Sequence, residues 1–153
     1  MKRRFFPVLC LAALTALLLP GCGGSGNYAD GTYTAQSEVY EGLEDEESLS
    51  GGDGYGVVTV TLRDNVITDC SFTTYMPDGT VKDADYGKRN GEIANQDYYN
   101  KAQRAVRASQ NYAEQLAAKG SLEAVDAISG ATISFQEFQE AVRAALKQAE
   151  QGR

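Results

Sequence analysis

The 153-residue sequence contains no histidine and only three cysteines, at positions 10, 22 and 70. The lack of histidine excludes His-ligated zinc sites, His-dependent catalytic triads and c-type haem attachment through Cys-x-x-Cys-His. No two of the cysteines have the spacing of a metal site. We therefore expect no metal ligands and no catalytic residues, and any chemistry has to come from a cofactor.

Basic residues are scarce beyond the first few positions. The formal net charge is −7, and Lys2, Arg3 and Arg4 are the only charged residues before residue 22, so the rest carries 11 basic and 21 acidic residues, a net charge of −10. Such a surface repels phosphate backbones and anionic lipid headgroups. The composition thus argues against nucleic-acid binding and against a domain that lies flat on a membrane.

No apolar run is long enough to span a membrane. The run from Phe5 to Leu19 has about 15 residues, fewer than the roughly 20 that a spanning helix needs. With basic residues before it and small residues after it, the run is typical of a secretory signal. It ends in Leu19-Pro20-Gly21-Cys22, which resembles a bacterial lipobox except for the unusual Pro20. We expect residues 1–21 to be a lipoprotein signal peptide and Cys22 to carry lipid; a buried N-terminal helix is the less favoured alternative.

The expected anchor places the domain close to a membrane. Residues 22–29 would form the lipidated cysteine and a flexible tether, because Gly23-Gly24-Ser25-Gly26-Asn27 is typical of linkers. Five such residues reach at most ~17 Å. We therefore expect residues 30–150 to form one domain on the outer face of the cell membrane.

Strand patterns occupy the first half of this domain. They predict one strand over Gly31–Val39 and a hairpin of Val57–Leu62 and Val66–Tyr75, joined through Arg63-Asp64-Asn65. Alternation places Val58, Val60 and Leu62 on one face, and Val66, Cys70 and Phe72 together on another. Cys70 should then point towards the core, as a small buried side chain rather than a redox group.

An acidic, glycine-rich stretch at about 41–54 separates the first strand from the hairpin. A phosphate cradle is one interpretation of its glycines. Their spacing fits no phosphate loop, no lysine follows, and the acids oppose an anion. A solvated loop is the better interpretation.

Helical patterns occupy the second half, after a turn at Pro77-Asp78-Gly79 and an ordered loop over residues 83–95. Asp97 is predicted to cap a helix that ends at Lys119 before Gly120. Ser134-Phe135-Gln136-Glu137 fits a capping box for a second helix, with Ile133 and Phe138 as its hydrophobic staple. Because strands precede helices, we predict an α+β fold: a small antiparallel sheet packed with two C-terminal helices, in a single domain.

The segment before the second helix is a candidate binding site. In this prediction Thr132 stands two residues before the helix N-cap, close to free backbone N–H groups and to the positive end of the helix dipole. Such a position suits an anion, and phosphate is its commonest occupant. From spacing alone, a simple tight turn that leads into a helix is the favoured interpretation of Ser129-Gly130-Ala131-Thr132.

The same segment resembles the flavinylation motif of the FMN-binding domain family, Asp-x-x-Ser/Thr-Gly-Ala-Ser/Thr. Asp126, Ser129, Gly130 and Ala131 match its first positions, and Thr132 matches the residue that bonds to the FMN phosphate. The resemblance implies covalent FMN on Thr132, attached by a separate flavin transferase that uses FAD. It extends to Asp30-Gly31-Thr32-Tyr33, the hairpin and the last helix, while the acidic stretch is longer than such a domain needs.

The resemblance also implies a function. Members of the family serve in redox-driven ion pumps and as small lipoproteins of extracellular electron transfer. We therefore expect a membrane-tethered electron carrier that exchanges electrons with membrane or extracytoplasmic redox partners and is no independent enzyme. The alternatives are a non-redox lipoprotein that binds a small ligand and a structural surface lipoprotein. Tyr98 and Tyr99 are candidates for contact with the flavin ring.

Overall fold

The computed structural model describes residues 27–41 and 53–152. The expected signal peptide, Cys22 and most of the acidic stretch lie outside these residues. A short 3-10 helix, Leu122–Ala124, precedes the second long helix. The strands and long helices are β1 Gly31–Gln36, β2 Tyr55–Arg63, β3 Val66–Tyr75, α1 Gln96–Lys119 and α2 Thr132–Gln151.

The three strands form an antiparallel sheet in the order β1-β2-β3. Asp64 and Asn65 form the hairpin turn with φ of 50° and 67°, the positive values that favour a two-residue turn between twisted strands. The predicted hairpin is confirmed. β1 ends at Gln36 rather than at the predicted Val39. The Gly56 N–H donates to the Ser37 hydroxyl at 3.0 Å instead of to a backbone carbonyl, so the ladder of backbone hydrogen bonds stops there.

A bulge in the hairpin changes which side chains of β3 face the core. Leu62 pairs with Ile67 and Thr61 pairs with Asp69, so the intervening residue of β3 has no partner in the register. The prediction that Val66 shares a face with Cys70 is wrong for this reason, and Val66 is 47% exposed. Cys70 is half-buried against the core as predicted, and burial together with Asp69 raises the pKa of its thiol to about 12.

The core lies between one face of the sheet and both helices. α1 packs on β3, and α2 packs on β1 and β2. Tyr112 and Phe138 are fully buried with ring centroids 5.6 Å apart, and Phe138 meets Phe72 edge-on at 5.0 Å. The inward side chains of β2 complete the layer: Val58, Val60 and Leu62. The α+β prediction is confirmed.

The two long helices run in the same general direction along the sheet. The end of α1 lies at the start of β3: a Cβ atom placed on Gly120, the residue that follows α1, would lie 3.5 Å from the Val66 side chain. The first half of α2 lies at the start of β2, where a Cβ on Gly56 would be 3.3 Å from the Glu137 side chain. Since β2 and β3 are antiparallel, these contacts show that α1 and α2 run in the same general direction.

The helix starts differ from the predictions. Asn95 caps α1 by accepting the Tyr98 N–H at 3.0 Å, so Asp97 lies inside the first turn and is not the cap. α2 begins at Thr132, earlier than the predicted capping box, and Ala131 at its N-cap makes no side-chain capping bond. Ser134 and Glu137 are buried inside α2 and face the sheet, so the predicted capping box is wrong. The proposed staple of Ile133 and Phe138 likewise falls within the helix.

Among residues 27–41 and 53–152, no helix combines the length and apolar character that crossing a membrane requires.

Candidate functional site

The Ser129-Gly130 pair forms the corner of a tight turn that leads into α2. The Ala131 N–H donates to the Ile128 carbonyl at 3.1 Å, which closes the turn. Gly130 has a φ of +79°, a value that glycine adopts without steric cost. Ser129 and Gly130 are exposed while Ala131 is buried, so the turn projects from the protein with its far end anchored in the core.

The hydroxyl of Tyr112 holds both ends of this turn. It accepts the Ile128 N–H at 3.1 Å and donates to the Ala131 carbonyl at 3.3 Å. Burial raises the pKa of Tyr112, so the hydroxyl stays protonated and can keep donating. In the sequence this tyrosine is one more member of the buried stripe of α1, and no local signal distinguishes its hydroxyl.

Asp126 is anchored to α1 rather than to Thr132. Its carboxylate lies 2.7 Å from Lys119 Nζ, and its backbone N–H donates to Gln115 Oε1 at 2.9 Å. The carboxylate is 85% exposed, so the ion pair itself adds little stability. The contacts fix the start of the 126–132 segment against the last turns of α1.

Thr132 is the first residue of α2 and is exposed. The first helical hydrogen bond runs from the Phe135 N–H to the Ala131 carbonyl, so the N–H groups of Thr132, Ile133 and Ser134 have no acceptor within the helix. The first turn of α2 holds no acidic residue to oppose an anion. These free N–H groups suit an anion, and the anion site stays a prediction; Thr132 is part of the helix instead of preceding its cap.

Arg104 is a basic residue of this site that the sequence did not reveal. From α1 its side chain reaches over the turn, where Nη1 lies 3.0 Å from the position that a Cβ on Gly130 would occupy. It belongs to a different element from the motif, and only the packing of α1 against the turn brings the two together. The turn thus combines an exposed hydroxyl, the N-terminus of α2 and a guanidinium.

These residues fit a phosphate group and its ester better than they fit a metal. Within the described part of the chain, no group of acidic or cysteine side chains could hold a metal ion. The N–H groups of the first turn of α2 and the guanidinium of Arg104 are donors that phosphate oxygens accept. Gly130 has no side chain of its own and leaves the space beside the turn to Arg104.

The tyrosines proposed for the flavin ring hold the loop over residues 83–95. The Tyr99 hydroxyl donates to the Ala84 carbonyl at 3.0 Å, and the Tyr98 side chain hydrogen-bonds to that of Tyr86. A cleft of about 360 Å³ lies next to this loop, between the end of β3 and α1, and is lined by Lys82, Gln103 and Arg107 among others. Thr132 does not line it.

Two solved structures resemble this chain, and the first of them shares its fold. A crystal structure of a Clostridium perfringens protein superposes with a TM-score of 0.57 at 20% identity, covering 83% of this chain and 93% of that one. A solution structure of a Clostridium thermocellum protein has a TM-score of 0.42 at 21% identity and covers 79% of this chain and 92% of that one. Among curated proteins, none matches the sequence.

The family model of the FMN-binding domain matches residues 51–147, a stretch that contains β2, β3, α1, the 126–132 segment and most of α2. The match covers more than half of the chain and includes the turn that carries Thr132. FMN is therefore the cofactor that the domain binds, and the chain belongs to the FMN-binding domain family.

Proposed function

We propose that this protein is a lipid-tethered, extracytoplasmic electron carrier whose FMN is bonded through its phosphate to Thr132. One observation carries the proposal. Thr132 is an exposed hydroxyl in the first turn of α2, at the acceptor position of the family motif, with unpaired helix N–H groups next to it. Its hydroxyl makes no hydrogen bond to another described residue, so it is available for esterification.

The attachment is a phosphoryl transfer without any change in oxidation state. Thr132 Oγ1 attacks the FMN-side phosphorus of FAD, a new O–P bond forms, and the bond from that phosphorus to the AMP oxygen breaks. AMP leaves and the hydroxyl proton passes to solvent. A separate flavin transferase catalyses the step, and the exposure of residues 129, 130 and 132 gives such an enzyme access to the acceptor.

When bound, FMN supplies transfer of one or two electrons, and the residues of the chain supply position and electrostatics. The turn at Ser129-Gly130 and the N-terminus of α2 hold the phosphate end. A covalent bond prevents loss of the cofactor into the surrounding medium. Cys70 takes no part, because its raised pKa keeps the thiol protonated. In this role the protein takes electrons from a membrane donor and passes them to an extracytoplasmic acceptor.

Flavinylation in cells tests the proposal. The mature domain is co-expressed with a flavin transferase, denatured and separated by electrophoresis, and flavin fluorescence is measured in the protein band. We expect fluorescence in the wild type and none in Thr132→Ala, because the acceptor oxygen is gone. Ser71→Ala is the matched control: it removes an exposed hydroxyl from β3, outside the motif, and should retain the flavin. Equal fluorescence in wild type and Thr132→Ala would sink the covalent assignment.

A further inference from the structure

Arg104 lies over the turn that presents Thr132, although it comes from a different element. A Cβ placed on Gly130 would be 3.0 Å from Arg104 Nη1 and 3.4 Å from Arg104 Cδ. The arginine side chain therefore extends along the turn with its guanidinium beside Gly130. A residue other than glycine at position 130 would displace it.

The charges around Arg104 leave it available for a ligand. Within residues 27–41 and 53–152 its guanidinium makes no ion pair and no hydrogen bond, although the chain carries a net negative charge. Asp126, the acidic residue of the motif, is paired with Lys119 at 2.7 Å. The first turn of α2 contains no acid. A guanidinium without a carboxylate partner, next to a helix N-terminus, forms a positive site in an acidic protein.

We propose that Arg104 is a positioning residue that binds the phosphate of the flavin esterified to Thr132; this inference rests on the proposed function. A phosphodiester at Thr132 carries one negative charge and two unesterified oxygens. The planar guanidinium donates to such oxygens in pairs, and these charge-assisted bonds are stronger than neutral ones. Gly130 then has two roles, because it permits the positive φ of the turn and leaves space for the arginine.

Chemical modification tests the contact without reference to electron transfer. Phenylglyoxal is applied to the flavin-free and the flavin-loaded protein, and the modified peptides are counted by mass spectrometry. Arg107 is the matched control, since it is an exposed arginine one turn further along α1 that lines the cleft instead of the turn. We expect loading to slow the modification of Arg104 by roughly tenfold, the factor that a charge-assisted hydrogen bond supports, and to leave Arg107 unchanged.

Substitution tests the role in loading. Arg104→Gln should lower the initial rate of flavinylation at limiting FAD by roughly tenfold and make the phosphodiester more susceptible to a phosphodiesterase. Arg104→Lys should restore both properties only in part, because lysine restores the positive charge but not the paired hydrogen bonds. Arg107→Gln should match the wild type in both assays. Because Arg104 is exposed, the Tm of each variant should stay at the wild-type value.

The possible failures are distinguishable. If wild-type Thr132 acquires no flavin, the proposed function is wrong and the inference falls with it. If Thr132 is flavinylated but Arg104 reacts equally fast with and without flavin, and Arg104→Gln loads at the wild-type rate, only the role of Arg104 is overturned.

Discussion

Glu137 is a buried carboxyl group on the face of α2 that packs against the sheet. Its side chain is 2% exposed, and neither carboxyl oxygen has a hydrogen-bond partner among the described residues. Lys82 Nζ lies 4.0 Å from Oε1 and is itself buried, over the ring of Tyr86 at 5.4 Å. Burial raises the pKa of Glu137 to about 7; Lys82 opposes the shift, and Glu140 adds to it.

This carboxyl group should make stability depend on pH. Because its pKa is above the ordinary 4.5 in the folded state, the folded protein holds the proton more tightly than the unfolded chain. Its contribution is fully present below about pH 4.5 and is lost as the pH rises through about 7, by about 3 kcal/mol. Burial lowers the pKa of Lys82, with Glu137 and Asp53 opposing the shift.

Urea unfolding between pH 4.5 and 8 measures this effect as the slope of the unfolding free energy against pH. In Glu137→Gln, the part of the pH dependence that this group causes should disappear. This holds even if the variant is less stable at every pH because Lys82 has lost its acidic partner. Glu150→Gln, which removes from the same helix an exposed carboxyl group that does not act on the pKa of Glu137, should keep the wild-type slope. A wild-type slope in Glu137→Gln would contradict the assignment.

At the scale of elements, one face of α1 organises the segment before α2. Four side chains at helical spacing contact this segment: Arg104, Tyr112, Gln115 and Lys119. The sequence predicted α1 and its buried stripe because the 3.6-residue period is a local property. It did not predict which loop the helix would hold, since that depends on how α1 packs on β3.

Removing the Tyr112 hydroxyl should loosen the turn that presents Thr132. Tyr112→Phe leaves the Ile128 N–H without a partner, and the Ala131 carbonyl keeps only the Phe135 N–H, which costs about 1–3 kcal/mol of unfolding free energy. Thermal or urea unfolding measures the loss, and hydrogen exchange should show a faster Ile128 amide.

Tyr33→Phe is the matched control, because the Tyr33 hydroxyl makes a single hydrogen bond, to the Ala29 carbonyl at 3.1 Å, at the start of β1. It should leave the Ile128 amide unchanged. Unchanged exchange at Ile128 in Tyr112→Phe would show that the hydroxyl does not hold the turn.

At the scale of the whole molecule, the chain enters the domain far from Thr132. The Ala29 N–H donates to the Ala149 carbonyl at 3.0 Å, so the residues that follow the expected tether lie against the last turns of α2. Thr132 is at the other end of this 20-residue helix, which is ~30 Å long. The expected tether would therefore join the domain at the end of α2 that lies opposite to Thr132.

Cell fractionation tests the proposed anchor. Cys22→Ser removes the thioether sulfur that would carry the lipid, so the protein should leave the membrane fraction. Cys70→Ser is the control, because the Cys70 thiol is half-buried in the domain and should not affect attachment. Membrane association of Cys22→Ser equal to that of the wild type would show that the lipobox assignment is wrong.

The sequence by itself determined the features that depend on neighbouring residues. The Asp64-Asn65 turn, the alternation of β2, the periods of α1 and α2, and the motif that ends at Thr132 are all local patterns. Tertiary structure decided the rest, because those contacts join residues far apart in the chain. Packing placed Arg104 and the Tyr112 hydroxyl at the turn, buried Glu137 beside Lys82 in place of a capping role, and set the chain entry and Thr132 at opposite ends of α2.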